Sequence, residues 1–131
     1  MKVSLTIAAL AAVAQAGTYG FDISEPLSVS NAQCMKDLTY DFVSVRAWHS
    51  YGAVDTAACG SLKNAKTAGI TTRDVYMFPC PTCSASARTQ IDTMINYLTS
   101  NCDSAWSGKI WLDIEGTQYW YSSYSTNKSW Y

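Results

Sequence analysis

The sequence predicts an α/β fold with a parallel sheet, on three observations. Short apolar strands alternate with amphipathic helical stretches in the order β-α-β-α-β-α-β. The links between them are short, which suits right-handed crossovers. No internal repeat or low-complexity linker interrupts the alternation.

The elements follow in order. Gly20-Phe21-Asp22-Ile23-Ser24 reads as a short strand with Phe21 and Ile23 on one face and Asp22 on the other, ended by Pro26. Ser28 or Ser30 is placed to cap a helix through Ala32, Cys34, Met35 and Leu38. Asp41 to Trp48 (DFVSVRAW) is rich in β-branched and aromatic residues and reads as the second strand. A helix starts at Asp55 or Thr56, turns Ala58, Leu62 and Ala65 to one face, and stops at Gly69 as a C-cap glycine. Arg73 to Phe78 (RDVYMF) is the third strand, closed by Pro79 and Pro81. Ser84 or Ser86 caps a third helix, whose Ile91, Met94, Ile95 and Leu98 recur at i, i+3, i+4, i+7. The fourth strand lies in Lys109-Ile110-Trp111-Leu112-Asp113-Ile114-Glu115-Gly116. Residues 117–131 are polar and aromatic, with Ser125 a candidate cap for a helix that barely begins.

The fourth strand carries the chemistry. Ile110, Leu112 and Ile114 alternate with Trp111, Asp113 and Glu115, so the two carboxylates project from one face, about 6–7 Å apart along the strand. In parallel α/β architectures active sites lie at the C-terminal ends of strands. Paired carboxylates there suit glycoside cleavage: one donates a proton to the leaving oxygen, and another negative group stabilises the positive charge on the sugar. The same residues also read as a solvated acidic loop after an edge strand. Asp22 ends the first strand as the pair ends the fourth; if the two meet at one mouth, crowding of like charges raises at least one pKa. Its alternative role is to cap the following turn.

Other patterns point elsewhere or nowhere. His49, the sole histidine, has no cluster of partners with metal-ligand spacing, so no metal or other cofactor is expected and a rim position is. Cys80-Pro81-Thr82-Cys83 follows a strand and precedes a helix, the setting of a thiol oxidoreductase site. Asn127-Lys128-Ser129 is a glycosylation sequon.

Composition narrows the setting. The net charge of −1 and the lack of a basic patch argue against nucleic acid as a partner. Nine tyrosines and five tryptophans favour sugar faces or a half-exposed core. Met1-Lys2, an apolar Val3 to Val13 and Ala14-Gln15-Ala16 read as a signal peptide over residues 1–16, leaving residues 17–131 as one domain, secreted or delivered to lysosomes or phagosomes without a membrane anchor. In that compartment Cys34, Cys59, Cys80, Cys83 and Cys102 are expected to be mostly bonded, with pairing not legible from spacing. The odd count leaves one thiol free or paired outside the chain.

GFDIS, DFVSVRAW, DVYMFPCP and above all WLDIEG resemble the lysozymes of glycoside hydrolase family 25, in their eukaryotic, cysteine-bearing branch, from about Tyr19 to the end. The resemblance implies a partial β/α barrel, about four βα units of a TIM-like barrel, truncated after the fourth strand. It implies an N-acetylmuramidase that hydrolyses β-1,4 bonds of bacterial peptidoglycan in antibacterial defence or digestion. Glu115 would be the proton donor, with Asp113 and Asp22 as flanking carboxylates; Asp113 or its neighbours would polarise the N-acetyl group that attacks the anomeric carbon. Tyr76, Trp48 and Trp111 would line the sugar site. The alternatives are a non-catalytic carbohydrate-binding or regulatory fragment of such an enzyme, a chitinase-like glycosidase, and the Cys80/Cys83 oxidoreductase.

Overall fold

A computed structural model describes residues 17–130, so the expected signal peptide at 1–16 lies outside the described residues. The elements are β1 (Tyr19–Ile23), α1 (Val29–Asp37), β2 (Tyr40–His49), β3 (Ala53–Val54), α2 (Ala58–Thr67), β4 (Thr72–Met77), α3 (Ala87–Asn101), β5 (Ile110–Leu112) and α4 (Tyr124–Trp130), with a 3₁₀ turn at Thr117–Tyr119. The four expected strands are β1, β2, β4 and β5. They pair in the order β1-β2-β4-β5, all parallel, and β3 adds a short antiparallel return on the end of β2. This is the expected partial β/α barrel, with β1 and β5 at the two edges.

Local chemistry explains the helix ends. Ser28 Oγ accepts from Asn31 N–H and Ser86 Oγ from Thr89 N–H, so each supplies one of the orphan donors of a first turn with its acceptor. α2 begins later than expected, at Ala58, because Asp55 turns its carboxylate onto Ala57 N–H from within the preceding loop. Gly69 ends α2 at φ +82°, a conformation open to glycine, and donates to Lys66 O. At the far end Ser123, not Ser125, accepts from Thr126 N–H to start α4.

Strand register separates two faces. Ile23, Val45, Val75 and Ile110 lie side by side on one face. Ala32 of α1, Leu62 and Ala65 of α2 and Met94 and Leu98 of α3 cover that face, and the hydrophobic core lies between sheet and helices. The other face is polar. Asp22 pairs with Ser44, Ser44 with Asp74, Arg46 with Tyr76, and Tyr76 with Trp111.

A bulge breaks that alternation at one point. The register of β2 against β4 skips between Arg46 and Trp48, so Trp48 pairs with Met77 rather than following Ser44 and Arg46 onto the polar face. Trp48 is 3% exposed and belongs to the core. This corrects the expectation that it lines a sugar site: strict period 2 from Ser44 points it at the mouth, and the extra residue turns it inward.

Cys59–Cys102 joins α2 to the end of α3, Cys80 bonds Cys83, and Cys34 is free and exposed. The third helix buries Gln90, Met94 and Leu98, a stripe displaced from the expected one by a buried polar residue. Gln90 accepts from Cys80 N–H and donates to the carbonyls of Cys80 and Ala85, which fixes the loop after β4.

Candidate active site

The polar face opens on a cavity of about 490 Å³ lined by Asp22, Phe42, Ser44, Tyr76, Trp111, Leu112, Asp113 and Glu115. Asp22 comes from the end of β1, Tyr76 from the end of β4, and the other two acids from the segment after β5. The sheet thus brings together five of the six sequence-predicted residues (Asp22, Asp113, Glu115, Tyr76 and Trp111) and leaves Trp48 behind it. No group of three or more His, Cys, Asp or Glu placed to hold a metal ion occurs among the described residues.

The acids do not sit as a straight strand would set them. β5 ends at Leu112, and only the bond from Asp113 N–H to Met77 O carries the ladder one residue further. Residues 113–116 are irregular, and Gly116 turns the chain at φ +66°. A Cβ there would lie 2.7 Å from the Tyr119 ring, so the turn requires glycine twice over, for its backbone and for its bareness. The indole of Trp120 then donates to Glu115 O at 3.0 Å, pinning the acid-bearing loop from below.

The charges feel one another. Asp113 has its pKa raised, first by burial, then by the charge of Glu115, then by that of Asp22. The Tyr76 phenol is also raised, chiefly by burial; the Arg46 guanidinium opposes that, and the charges of Asp22, Asp113 and Asp55 add to it. Asp113 is half-buried, whereas Glu115 is exposed at the lip.

Side chains behind the acids hold the walls. Trp111 Nε1 donates to Asp74 Oδ2 at 3.1 Å, its ring packs edge-on to Phe42, and Lys109 Nζ lies 5.0 Å above it and 3.8 Å from the same Asp74 oxygen. Asp74 is fully buried, so this pairing is what compensates its charge. Arg46 Nε donates to Asp55 Oδ2 at 2.9 Å, and His49, stacked on Tyr51, lies 3.5 Å from that oxygen. His49 therefore belongs to the Arg46–Asp55 group rather than to the cavity lining.

Phe42, Ser44 and Leu112 join the site without having been expected there, Leu112 although strand alternation sets it on the face opposite the acids. The signal was available: Ser44 is a lone hydroxyl between Val43 and Val45, two residues before Arg46 on the same face. Ser44 stands in the cavity wall, but its Oγ is itself buried and has no hydrogen-bond partner among the described residues.

The Cys80–Cys83 pair is bonded to itself, as a redox pair would be. It lies in the loop before α3, whose first residue is Ala87 and whose cap is Ser86, so neither sulfur occupies the helix N-terminus that would stabilise a thiolate. With Gln90 gripping Cys80 on both sides, the pair acts as a clasp on the loop.

A parallel half barrel with carboxylates and aromatic rings at the strand ends defines a class: a β/α-barrel protein with an acidic site of the kind that glycoside cleavage uses. Comparison with known proteins gives the family. Residues 13–130 match the family model described as "Lysozyme-like protein 1". "Probable GH family 25 lysozyme 2" of Dictyostelium discoideum is 48% identical over 103 residues, covering 79% of this chain and 47% of the relative. "Probable GH family 25 lysozyme 5" of the same organism is 40% identical over 110 residues, 83% of this chain and 50% of the relative. "Lysozyme-like protein 5" of Caenorhabditis elegans is 35% identical over 127 residues, 95% of this chain and 57% of the relative. No solved structure matches. The chain belongs to the lysozyme-like family, and it spans about half the length of the curated relatives it matches.

Proposed function

We propose that the chain is a secreted lysozyme-type glycosidase, an N-acetylmuramidase acting on the β-1,4 bonds of bacterial peptidoglycan in defence or digestion. The observation that carries this is the convergence of Asp22, Asp113 and Glu115 on one cavity beside Tyr76 and Trp111, three carboxyls of unequal exposure at one opening, which suits acid-assisted cleavage of a sugar linkage. Glu115, at the lip, donates the proton to the leaving oxygen. Asp113, more deeply set and holding its proton to higher pH, orients the substrate's N-acetyl group for attack on the anomeric carbon. Asp22 contributes negative charge beneath the developing cation. Tyr76 and Trp111 bound the sugar. Two disulfides support an oxidising compartment, outside the cell or in a lysosome or phagosome. No helix among the described residues is long and apolar enough to cross a membrane.

The experiment is clearing of a bacterial-wall suspension by the purified chain, beside Glu115→Gln and Asp113→Asn. Loss of roughly 10²–10⁴-fold in Glu115→Gln fits a general acid. Equal clearing by wild type and Glu115→Gln rejects that role. The second reading, a carbohydrate-binding module without turnover, is favoured by the exposed setting of Glu115; retention on insoluble peptidoglycan with no clearing selects it.

A further inference from the structure

Asp74 is a buried carboxylate with no part in the reaction just described. It sits in β4 opposite Ser44 of β2, on the polar face that carries the acidic cavity, and is 1% exposed. A charge at that depth costs stability, and an apolar side chain of similar size often serves a fold better. What the carboxylate does make is a contact with one ring of the cavity lining: Trp111 Nε1 donates to its Oδ2 at 3.1 Å. Trp106 and Trp120 donate instead to backbone carbonyls, those of Lys109 and Glu115. A hydrogen bond to a carboxylate is about twice as strong as one to a neutral acceptor.

Trp111 needs an anchor because of where it stands. β5 is three residues long and forms an edge of the sheet, so among the described residues it has a paired strand on one side only. Trp111 is 47% exposed. A side chain so placed samples several rotamers, and stilling it when a ligand arrives costs affinity. Here three groups hold it beforehand. Asp74 takes the N–H, the Phe42 ring meets the indole edge-on at 6.2 Å between centroids, and Lys109 Nζ lies 5.0 Å over the ring. Lys109 is itself drawn toward the same Asp74 oxygen, 3.8 Å away. One carboxylate therefore sets both the indole and the ammonium that covers it. It also decides what the ring offers: with its N–H turned to Asp74, Trp111 presents ring surface to the cavity and no hydrogen-bond donor.

We propose that Asp74 is a positioning residue, which fixes the Trp111 indole before substrate arrives and makes that side of the cavity a purely apolar contact. This rests on the reading of the acidic cavity as a glycoside site. Asp74 touches no substrate; it acts through Trp111. The step it serves is binding. The ring is held equally for substrate and transition state, and a uniform contact of that kind sets KM and leaves kcat alone.

The test follows wall clearing over a range of wall concentrations, together with the indole proton–nitrogen NMR signal of Trp111, assigned by its loss in Trp111→Phe. In the native chain that N–H is expected to exchange with water roughly tenfold more slowly than a free indole, although the residue is half exposed. Asp74→Ala is expected to raise the apparent KM roughly fivefold with kcat unchanged, and to speed the exchange. Asp74→Asn keeps an acceptor for the indole and is expected to restore most of the KM. In Trp111→Phe, which has no N–H to hold, Asp74→Ala is expected to add little. Circular dichroism checks that each variant is folded. A KM effect of equal size with and without the indole overturns the proposal, as does a fall in kcat at unchanged KM. If Asp74→Ala does not fold, the native chain and Asp74→Asn decide. An indole N–H that exchanges as freely as in solution, or an Asp74→Asn KM raised as far as that of Trp111→Phe, then overturns it. An unprotected indole in a chain that clears walls removes the positioning role alone. A protected indole in a chain that neither clears nor binds walls removes the glycosidase reading, and the kinetic role with it.

Discussion

Removing the Cys59–Cys102 bridge tests how much of the stability of this half barrel resides in its outer layer. The bond spans a sequence separation of 43 and ties the start of α2 to the residue after α3, across the core-facing side of the sheet. Closing a loop of that length removes about 4 kcal/mol of entropy from the unfolded chain in the chain-entropy treatment. Both sulfurs are buried, so Cys59→Ala/Cys102→Ala also gives up about 1 kcal/mol of packing. A total of about 5 kcal/mol is a large share of what a domain this size has. The urea midpoint should fall by roughly 2–3 M at the usual slopes. The comparison is Cys80→Ala/Cys83→Ala, where the separation of 3 predicts about 1.5 kcal/mol. Both pairs are made in a Cys34→Ser background to prevent reshuffling. A loss below 1 kcal/mol for the long loop, or equal losses for both, would refute the claim that loop closure sets the effect.

Three further outcomes follow from the site and the cysteines. Asp22→Asn removes one of the two like charges that raise Asp113, so the Asp113 pKa should fall, as read by carbon NMR of its carboxyl. The sign for stability follows: a carboxyl whose folded pKa lies above its unfolded value stabilises the fold below the unfolded pKa, and that contribution is lost as pH rises through the folded one, so Asp22→Asn narrows this window from above. Gly116→Ala combines positive φ with a Cβ 2.7 Å from the Tyr119 ring and should cost about 1–3 kcal/mol while lowering wall clearing, because it displaces Glu115; unchanged melting and clearing would show that the turn relaxes freely. Iodoacetamide should add one group to the native protein, at Cys34, and five after reduction and unfolding; two or three groups on the native form would contradict the bridges.

The four parallel strands and three large helices were legible because each carries its own period and its own stop signal. The serine caps at Ser28 and Ser86 and the glycine at Gly69 act within one turn of chain, where sequence speaks directly. The failures are non-local. The Ala47 bulge, set by the pairing of β2 with β4, turned Trp48 from the mouth into the core. The β5 ladder ended at Leu112 because its neighbour β4 ends at Met77, so Asp113 and Glu115 owe their positions to a glycine turn rather than to strand alternation. Gln90 broke the aliphatic stripe of α3 because a loop ten residues upstream needed its amide. The sequon at Asn127 lies inside α4, where the amide is committed to the Tyr121 backbone.

The convergence of the acids is a property of curvature. β1 and β5 are three strand spacings apart, so a flat sheet would hold their ends about 14 Å from each other, beyond the reach of much screened interaction in salt. Yet Asp22 raises Asp113 and lines the same cavity. The sheet must curl toward its polar face, as twisted parallel sheets do on the way to a barrel. What sustains the curl is on the opposite side: the helices packed over Val45, Val75 and Ile110, the bulge beside Trp48, and the bridge from α2 to α3. The motif WLDIEG brings two acids, and the outer face decides whether they meet the third. Burial and Glu115 raise the Asp113 pKa more than Asp22 does, so only the Asp22 share of that shift depends on the curl that brings β1 toward β5.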